Sequence, residues 1–405
     1  MVGANSGDLR SMNAVRTLKR LANEYLDSVH LARSSAVFAA VTALIRGGDI
    51  AVSRLGRSIA IDTGPKHGIK RVDRLYANDK LWAEQHHFYR GIARLALRAQ
   101  RSPRPVILID WTEAGAATCV LTAALPGTGR ALVIYSDAHP LRSYTNPRVE
   151  AAFLLKLRDV LPEGVRPILV TDAGFRAPWL RTVVGMGWDY VGRIRGRTRV
   201  RARGQSEWAS YTALYSRARV RRAVDAGTYS VTRYKPYETR LIVYRGRRKW
   251  TPIEKALAQR AGTRAIECAK EPWLLATSLR RTAAKKIVRF YAQRMQIEQT
   301  FRDTKSDRFG WGMGKARTKR PRRVDIMVLI AALASTVVFA AGKAAELAGH
   351  HRAFQANTVR TRRVLALTTL GRLVLLHPKL DPPLLQRKDF QLRCDSRQSG
   401  QSVMA

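Results

Sequence analysis

Two short runs, "PVILIDW" at 105–111 and "RPILVTDAGF" at 166–175, constrain the fold more than anything else in the chain. Each is apolar and rich in β-branched residues, and each ends in an acid, as a strand buried in a sheet does. Between them, "AATCVLTAAL" and "ALVIYSDAH" read as two more strands joined by the turn "LPGTGR", and residues 147–160 read as a helix. After them, "PWLRTVVGMG" reads as a helix closed by glycine and "WDYVGRIRG" as a further strand. Three strands, helix, strand, helix, strand predicts a mixed α/β sheet.

Residues 1 to about 100 have helical periodicity and no alternating strand. In "VTALIRGGDIAVSRLGRSIA" the Gly47/Gly48 pair separates two amphipathic runs. That pattern fits either a helix-turn-helix unit or an ordinary helical hairpin. "KHGIKRVDRL" sets Lys66, Lys70, Arg71 and Arg74 near one helix face, suited to tracking phosphates or to plain solvation. Residues 197–272 break the α/β rhythm with the strand-like pieces "YSVTRY" and "TRLIVYR" among arginine-rich turns. "PWLLATSL" precedes the next helix, and a polar tail follows Pro378.

Charge narrows the function. The 405 residues carry 73 Lys and Arg against 30 Asp and Glu, a formal +43. A folded chain with that field binds polyanions, and nucleic acid is the expected counter-charge. Cys119, Cys268 and Cys394 match neither a disulfide framework nor a CxxC site, and the adjacent histidine pairs His86/His87 and His350/His351 cannot present i, i+4 zinc ligands. Structural zinc is not expected. There is no apolar leader at the N-terminus, although Met12 offers an alternative start. "IMVLIAALASTVVFAA", Ile326 to Ala341, is about 16 residues, short of the ~20 a bilayer needs, and reads as a buried core helix. A cytoplasmic, nucleoid-associated location is the expectation, without a membrane.

"YAQRMQIEQTFRDTK", residues 291–305, holds the chemistry. On one continuous helix Tyr291, Arg294, Glu298 and Lys305 project within about 60° of each other, and Phe290, Ile297 and Phe301 form an apolar seam beside them. By itself the row is also a solvated face with an Arg294/Glu298 pair. Asp110 and Asp172 each stand at the C-terminal end of an apolar strand, where open α/β sheets collect functional groups. Either each acid caps a loop, or they converge on a metal. With Glu298 they would make an all-oxygen site for two Mg²⁺ ions, or Mn²⁺ in their place, about 3.5–4 Å apart. Tyr291, Arg294 and Lys305 would then grip DNA phosphates.

The spacing Y-x2-R-x3-E-x6-K, filled by Tyr291, Arg294, Glu298 and Lys305, resembles the signature of the insertion sequence four family of bacterial DDE transposases. The blocks "KHGIKRVDRL", "VILIDW", "VTDAGFRAPW", "EPWLLATSL", "RMQIEQTFRDTKS" and "FQANTVR" are similar to its insertion sequence ten branch, from about residue 40 to about 375. The resemblance implies an RNase H-like catalytic core with a mixed five-stranded sheet. A β-rich insertion interrupts it and an all-α DNA-binding region precedes it. On that basis 1–100 is the N-terminal region, 101–196 and 273–345 the two parts of the core, 197–272 the insertion, and 346–405 a C-terminal helical region with a polar tail. It further implies Asp110, Asp172 and Glu298 as metal ligands and catalytic acids. The implied reaction is cut-and-paste transposition: nicking, hairpin formation, hairpin opening and strand transfer at terminal inverted repeats, by a homodimer on double-stranded DNA. Trp273 matches the position on which relatives stack a flipped base. Two other readings stay open, a copy that binds DNA without cutting and a related nuclease that cuts without joining.

Overall fold

The structure, a computed structural model, describes residues 6–98, 103–246, 271–307, 310–356, 358–359, 361–380 and 383–392. Cys268, Cys394, residues 247–270 of the predicted insertion, most of the polar tail, and Asn357 and Arg360 of "FQANTVR" lie outside these residues. The described chain divides into two compact units, one of residues 6–165 and 295–392, the other of residues 166–294.

The first unit begins with five helices: α1 (Ser6–Ala22), α2 (Leu31–Gly47), α3 (Val52–Ser58), α4 (Pro65–Tyr76) and α5 (Asp79–Leu97). Gly48 ends α2 in the left-handed region, φ 68°, with its N–H donating to the Leu44 carbonyl. That conformation favours glycine, and across it α2 and α3 bend by 94°. The glycine break read from sequence is therefore a sharp corner. Helices α3 and α4 then cross at backbone contact, since a Cβ on Gly68 would lie 2.2 Å from the Gly56 carbonyl oxygen. Helix α4 buries Val72, Leu75 and Tyr76 and leaves Lys66, Lys70, Arg71 and Arg74 exposed.

Strands β1 (Val106–Glu113), β2 (Thr118–Pro126) and β3 (Ala131–Pro140) follow as an antiparallel meander, with Asp110 opposite Thr122, and α6 (Pro147–Val160) closes the segment. The second unit contains β4 (Ile168–Thr171), α7 (Ala177–Gly185), β5 (Asp189–Arg193), β6 (Arg199–Ala202), β7 (Ala209–Ser210), β8 (Val224–Val231), β9 (Tyr237–Tyr244), β10 (Trp273–Thr277) and α8 (Ala284–Ala292). Its strands run in the order β4-β5-β10-β9-β8-β6-β7, with β4 and β5 parallel and the other neighbours antiparallel. The chain then returns to the first unit with α9 (Met295–Lys305), α10 (Pro321–Leu347) and α11 (Leu367–Leu376). The fold is mixed α/β, and three strands, helix, strand, helix, strand is the order seen.

The predicted single helix through 291–305 is two helices. It breaks at Gln293 and Arg294, where N–H groups donate three residues back, to Phe290 and Tyr291. Helix α8 buries Ile287, Val288 and Tyr291 in the second unit and α9 buries Ile297 and Thr300 in the first. Each half is committed to a different core, so no single apolar seam serves both. Phe290 and Phe301 are half-exposed rather than anchors.

The "IMVLIAALASTVVFAA" segment belongs to a longer helix than its apolar run indicates: α10 has 27 residues, and 94% of its most apolar window is buried inside the protein. It packs against α2, α5, α11 and β3. Asp325, on this helix and 1% exposed, accepts hydrogen bonds from the Trp82 indole at 2.8 Å and the Ala138 N–H at 2.6 Å. It thereby ties α10 to α5 and β3. Burial, with the Asp137 charge nearby, pushes its carboxyl up to about 8. The native state therefore keeps a proton that the unfolded chain has released above pH ~4. Stability from this group is complete below that pH and is lost as pH rises to about 8. Between pH 6 and 8 urea unfolding of the wild type should lose about 2 kcal/mol that Asp325→Asn does not lose. Parallel pH profiles for the two proteins would contradict this.

Candidate active site

In the first unit the site is built on β1 and α9. Side chains alternate along a strand, so Asp110 and Thr112 share one face. Trp111 points the other way, and its indole donates to Glu150 of α6 at 3.1 Å. Asp110 is 8% exposed, and its Oδ1 accepts from the Trp111 N–H at 2.9 Å. On the same face the Lys305 ammonium, at the end of α9, donates to Thr112 Oγ1 at 2.7 Å. Burial holds the Lys305 pKa below the usual lysine value, opposed by the nearby charges of Glu113 and Asp110. Asp110 and Lys305, far apart in sequence, are thus neighbours. Glu298 stands two turns before Lys305, within about 20° of it around the helix, and is half-buried.

Helix α9 is fixed by a second stripe that the sequence reading missed. Gln296 Oε1 accepts from the Gly127 N–H at 2.8 Å, Thr300 Oγ1 accepts from the Ala131 N–H at 3.0 Å, and Asp303 pairs with Arg130 at 2.5 Å. At i, i+4 and i+7 these three dock the helix on the β2–β3 turn. This sets the rotation of Glu298 and Lys305. Polar residues at helical spacing were the available signal, but they resemble a solvated face.

In the second unit Asp172 follows β4, half-buried, with Oδ1 accepting from the Gly174 N–H at 2.8 Å. Tyr291 is 4% exposed, not part of an open row. Its ring meets Trp273 edge-on at 4.9 Å, and the Arg294 guanidinium lies 6.0 Å from its centroid. Burial raises the Tyr291 phenol, while the charges of Arg294 and Arg193 pull it down and that of Asp172 pushes it up. Asp172, Tyr291, Arg294 and Arg193 therefore share one electrostatic neighbourhood. Trp273 is half-buried, leaning on Tyr244 at 5.7 Å as well. Arg193 is a residue the sequence reading passed over as part of a generic strand. Its Nε and Nη2 are buried and have no hydrogen-bond partner among the described residues, the nearest carboxylate being Glu271 at 3.8 Å from Nη2. Its charge is thus partnered by Glu271, while buried N–H groups that make no hydrogen bond are costly until an acceptor completes them.

Residues 101–337, more than half of the chain, match the family model for a transposase DDE domain. The chain belongs to the DDE transposase family. No curated protein matches it. The matched span takes in the described second unit and part of the first, with Asp110, Asp172, Glu298 and Lys305. The transposase is an enzyme acting on DNA, which accounts for its charge of +43.

Enzymes of this family generally use divalent metal ions. The donor chemistry of the transposase fits: Asp110, Asp172 and Glu298 offer only carboxylate oxygens, suited to hard cations. Among the described residues no group of three or more His, Cys, Asp or Glu side chains is gathered closely enough to hold a metal ion. Asp110 and Glu298 belong to the first unit and Asp172 to the second, so neither unit contains the triad by itself. Lys66, Lys70, Arg71 and Arg74 are exposed on α4, a different element from those that carry Asp110 and Lys305.

Proposed function

We propose that the protein is a cut-and-paste transposase of the insertion sequence four family, insertion sequence ten-like branch. It would work as a homodimer on the terminal inverted repeats of its own element. Asp110, Asp172 and Glu298 would hold two Mg²⁺ ions, for which Mn²⁺ could stand in, and the bound ions would supply activation of the attacking oxygen and stabilisation of the leaving one in an in-line phosphoryl transfer. The observation that carries this reading is the meeting of Lys305 with Thr112 beside Asp110, across 193 residues of sequence, on the helix that bears Glu298. An RNase H-like core is supported by the antiparallel β1-β2-β3 meander, the helix α6 and the parallel β4/β5 pair that follow one another in the chain.

The protein's own groups have distinct tasks. Lys305 supplies a point charge to a phosphate beside Asp110, and Arg294 and Arg193 supply guanidinium forks beside Asp172. Tyr291, a neutral phenol held by Trp273, can donate one hydrogen bond to a phosphate oxygen. The uncovered side of Trp273 takes a base flipped out when a hairpin bends the DNA. The β-rich stretch from 197 is the insertion of the core, and α3 with α4 is the unit that recognises the element's ends.

A supercoiled donor plasmid carrying the element's ends, incubated with Mg²⁺, tests the proposal. Nicked, hairpin and strand-transfer products are expected in succession. Binding alone would identify a non-cutting copy, and hydrolysis without joining would identify a nuclease. Trp273→Ala should leave the first nick within about twofold and reduce hairpin product about tenfold or more, the stacking of one base being worth ~1–3 kcal/mol. Equal loss at both steps would make Trp273 a structural residue.

A further inference from the structure

The β8–β9 hairpin of the second unit ends in the loop Thr232-Arg233-Tyr234-Lys235-Pro236. Tyr234 is 83% exposed, between two exposed cations, and the Lys235 ammonium lies 5.6 Å from its ring centroid. A large aromatic ring at a loop tip gains nothing from folding. The backbone beneath it is nonetheless closely held. Thr232 and Lys235 both take positive φ, 63° and 51°, which non-glycine residues rarely adopt. Arg181 of α7 fixes them by donating to the Lys235 and Pro236 carbonyls at 2.8 and 2.7 Å while stacking on Tyr237 at 5.0 Å. The Thr232 N–H donates to the Arg199 carbonyl at 3.0 Å. Such an arrangement orders the tip before any partner arrives, which lowers the entropy cost of binding.

The surroundings indicate the partner's charge. Residues 197–246 contain twelve Arg and Lys against three Asp and Glu, and one of the three, Asp225, is paired with Arg240 at 2.6 Å. The hairpin is part of a wider sheet, β9 being paired also with β10 and β8 with β6, so only its loop projects, and an aromatic ring at such a tip can stack on a base that a bend has exposed.

We propose that this hairpin tip is a second DNA contact, with Tyr234 stacking on a base at a distorted step of the duplex and Arg233 and Lys235 holding the flanking phosphates. It rests on DNA being the substrate and is independent of the metal site and of Trp273. The test uses the full chain in a Glu298→Gln background, so that cleavage plays no part. Fluorescence anisotropy is followed on a 30-bp duplex with a two-nucleotide central bubble and on the fully paired duplex. On the bubble Tyr234→Ala should bind about tenfold more weakly, Tyr234→Phe should bind like the parent, and the paired duplex should show a smaller difference. The Arg233→Ala/Lys235→Ala protein should lower the slope of log K against log salt by about 2. Parent-like binding by Tyr234→Ala on the bubble, a Tyr234→Phe protein as weak as Tyr234→Ala, or an unchanged salt slope would overturn the proposal. Failure of the parent to bind either duplex would instead count against DNA as substrate.

Discussion

The Asp110→Asn, Asp172→Asn and Glu298→Gln proteins should each nick a supercoiled donor at least about 10³-fold more slowly than the wild type and bind end DNA within about threefold. Loss of one ligand removes charge stabilisation worth several kcal/mol, and each 1.36 kcal/mol is a factor of ten in rate. The substitutions are nearly isosteric. Asn at 110 and 172 keeps an oxygen to accept from the Trp111 and Gly174 N–H groups, so the local turns survive. Binding depends on the cationic surface and changes little when one carboxylate is neutralised. Gel analysis of plasmid forms and a band-shift titration separate the two effects. Near-normal nicking by any one variant removes that residue from the site.

Gly371→Ala should be a strongly disruptive substitution for its size, costing about 3 kcal/mol or more. Helices α10 and α11 meet at Gly342 and Gly371 with their backbones touching. A Cβ on Gly371 would lie 1.8 Å from the Val338 carbonyl oxygen, and one on Gly342 would lie 1.9 Å from that of Leu367. The obstacle is backbone, which cannot rotate aside, so the helices must separate. Leu370 and Val374, which α11 buries against this contact, would then lose their packing. Thermal melting should show a large drop for Gly371→Ala and for Gly342→Ala. The control Gly185→Ala, at a position with open space, should melt near the wild type. Wild-type melting of Gly371→Ala would mean that the two helices do not cross there.

The succession of strands and helices was legible because β1 begins as, and β4 is, an apolar β-branched run followed by an acid, a pattern a surface segment cannot adopt. The end of β1 was not: the ladder continues past Asp110 to Glu113, so Asp110 stands inside the strand rather than at its C-terminal end. The break between α8 and α9 was not, because neither Gly nor Pro marks it. It arises where the chain leaves one core for another, a long-range property. The burial of Tyr291 also depends on a distant partner, Trp273, and no helical wheel reveals it. Arg193 and Asp325 escaped notice because each lies within an ordinary strand or apolar helix. Their meaning comes from neighbours that only folding supplies. The role of Tyr234 is similar, since "YSVTRY" reads only as strand until the turn geometry is seen.

In the proposed site Asp172 acts as a metal ligand together with Asp110 and Glu298. The most direct measurement is the nicking rate of Asp172→Cys in Mg²⁺ and in Mn²⁺, since a thiolate is a poor ligand for the harder ion and a better one for the softer. The expected result is almost no nicking in Mg²⁺ and a recovery of about tenfold or more in Mn²⁺, beyond any change seen for the wild type. The same activity relative to wild type in both ions would contradict direct ligation by Asp172.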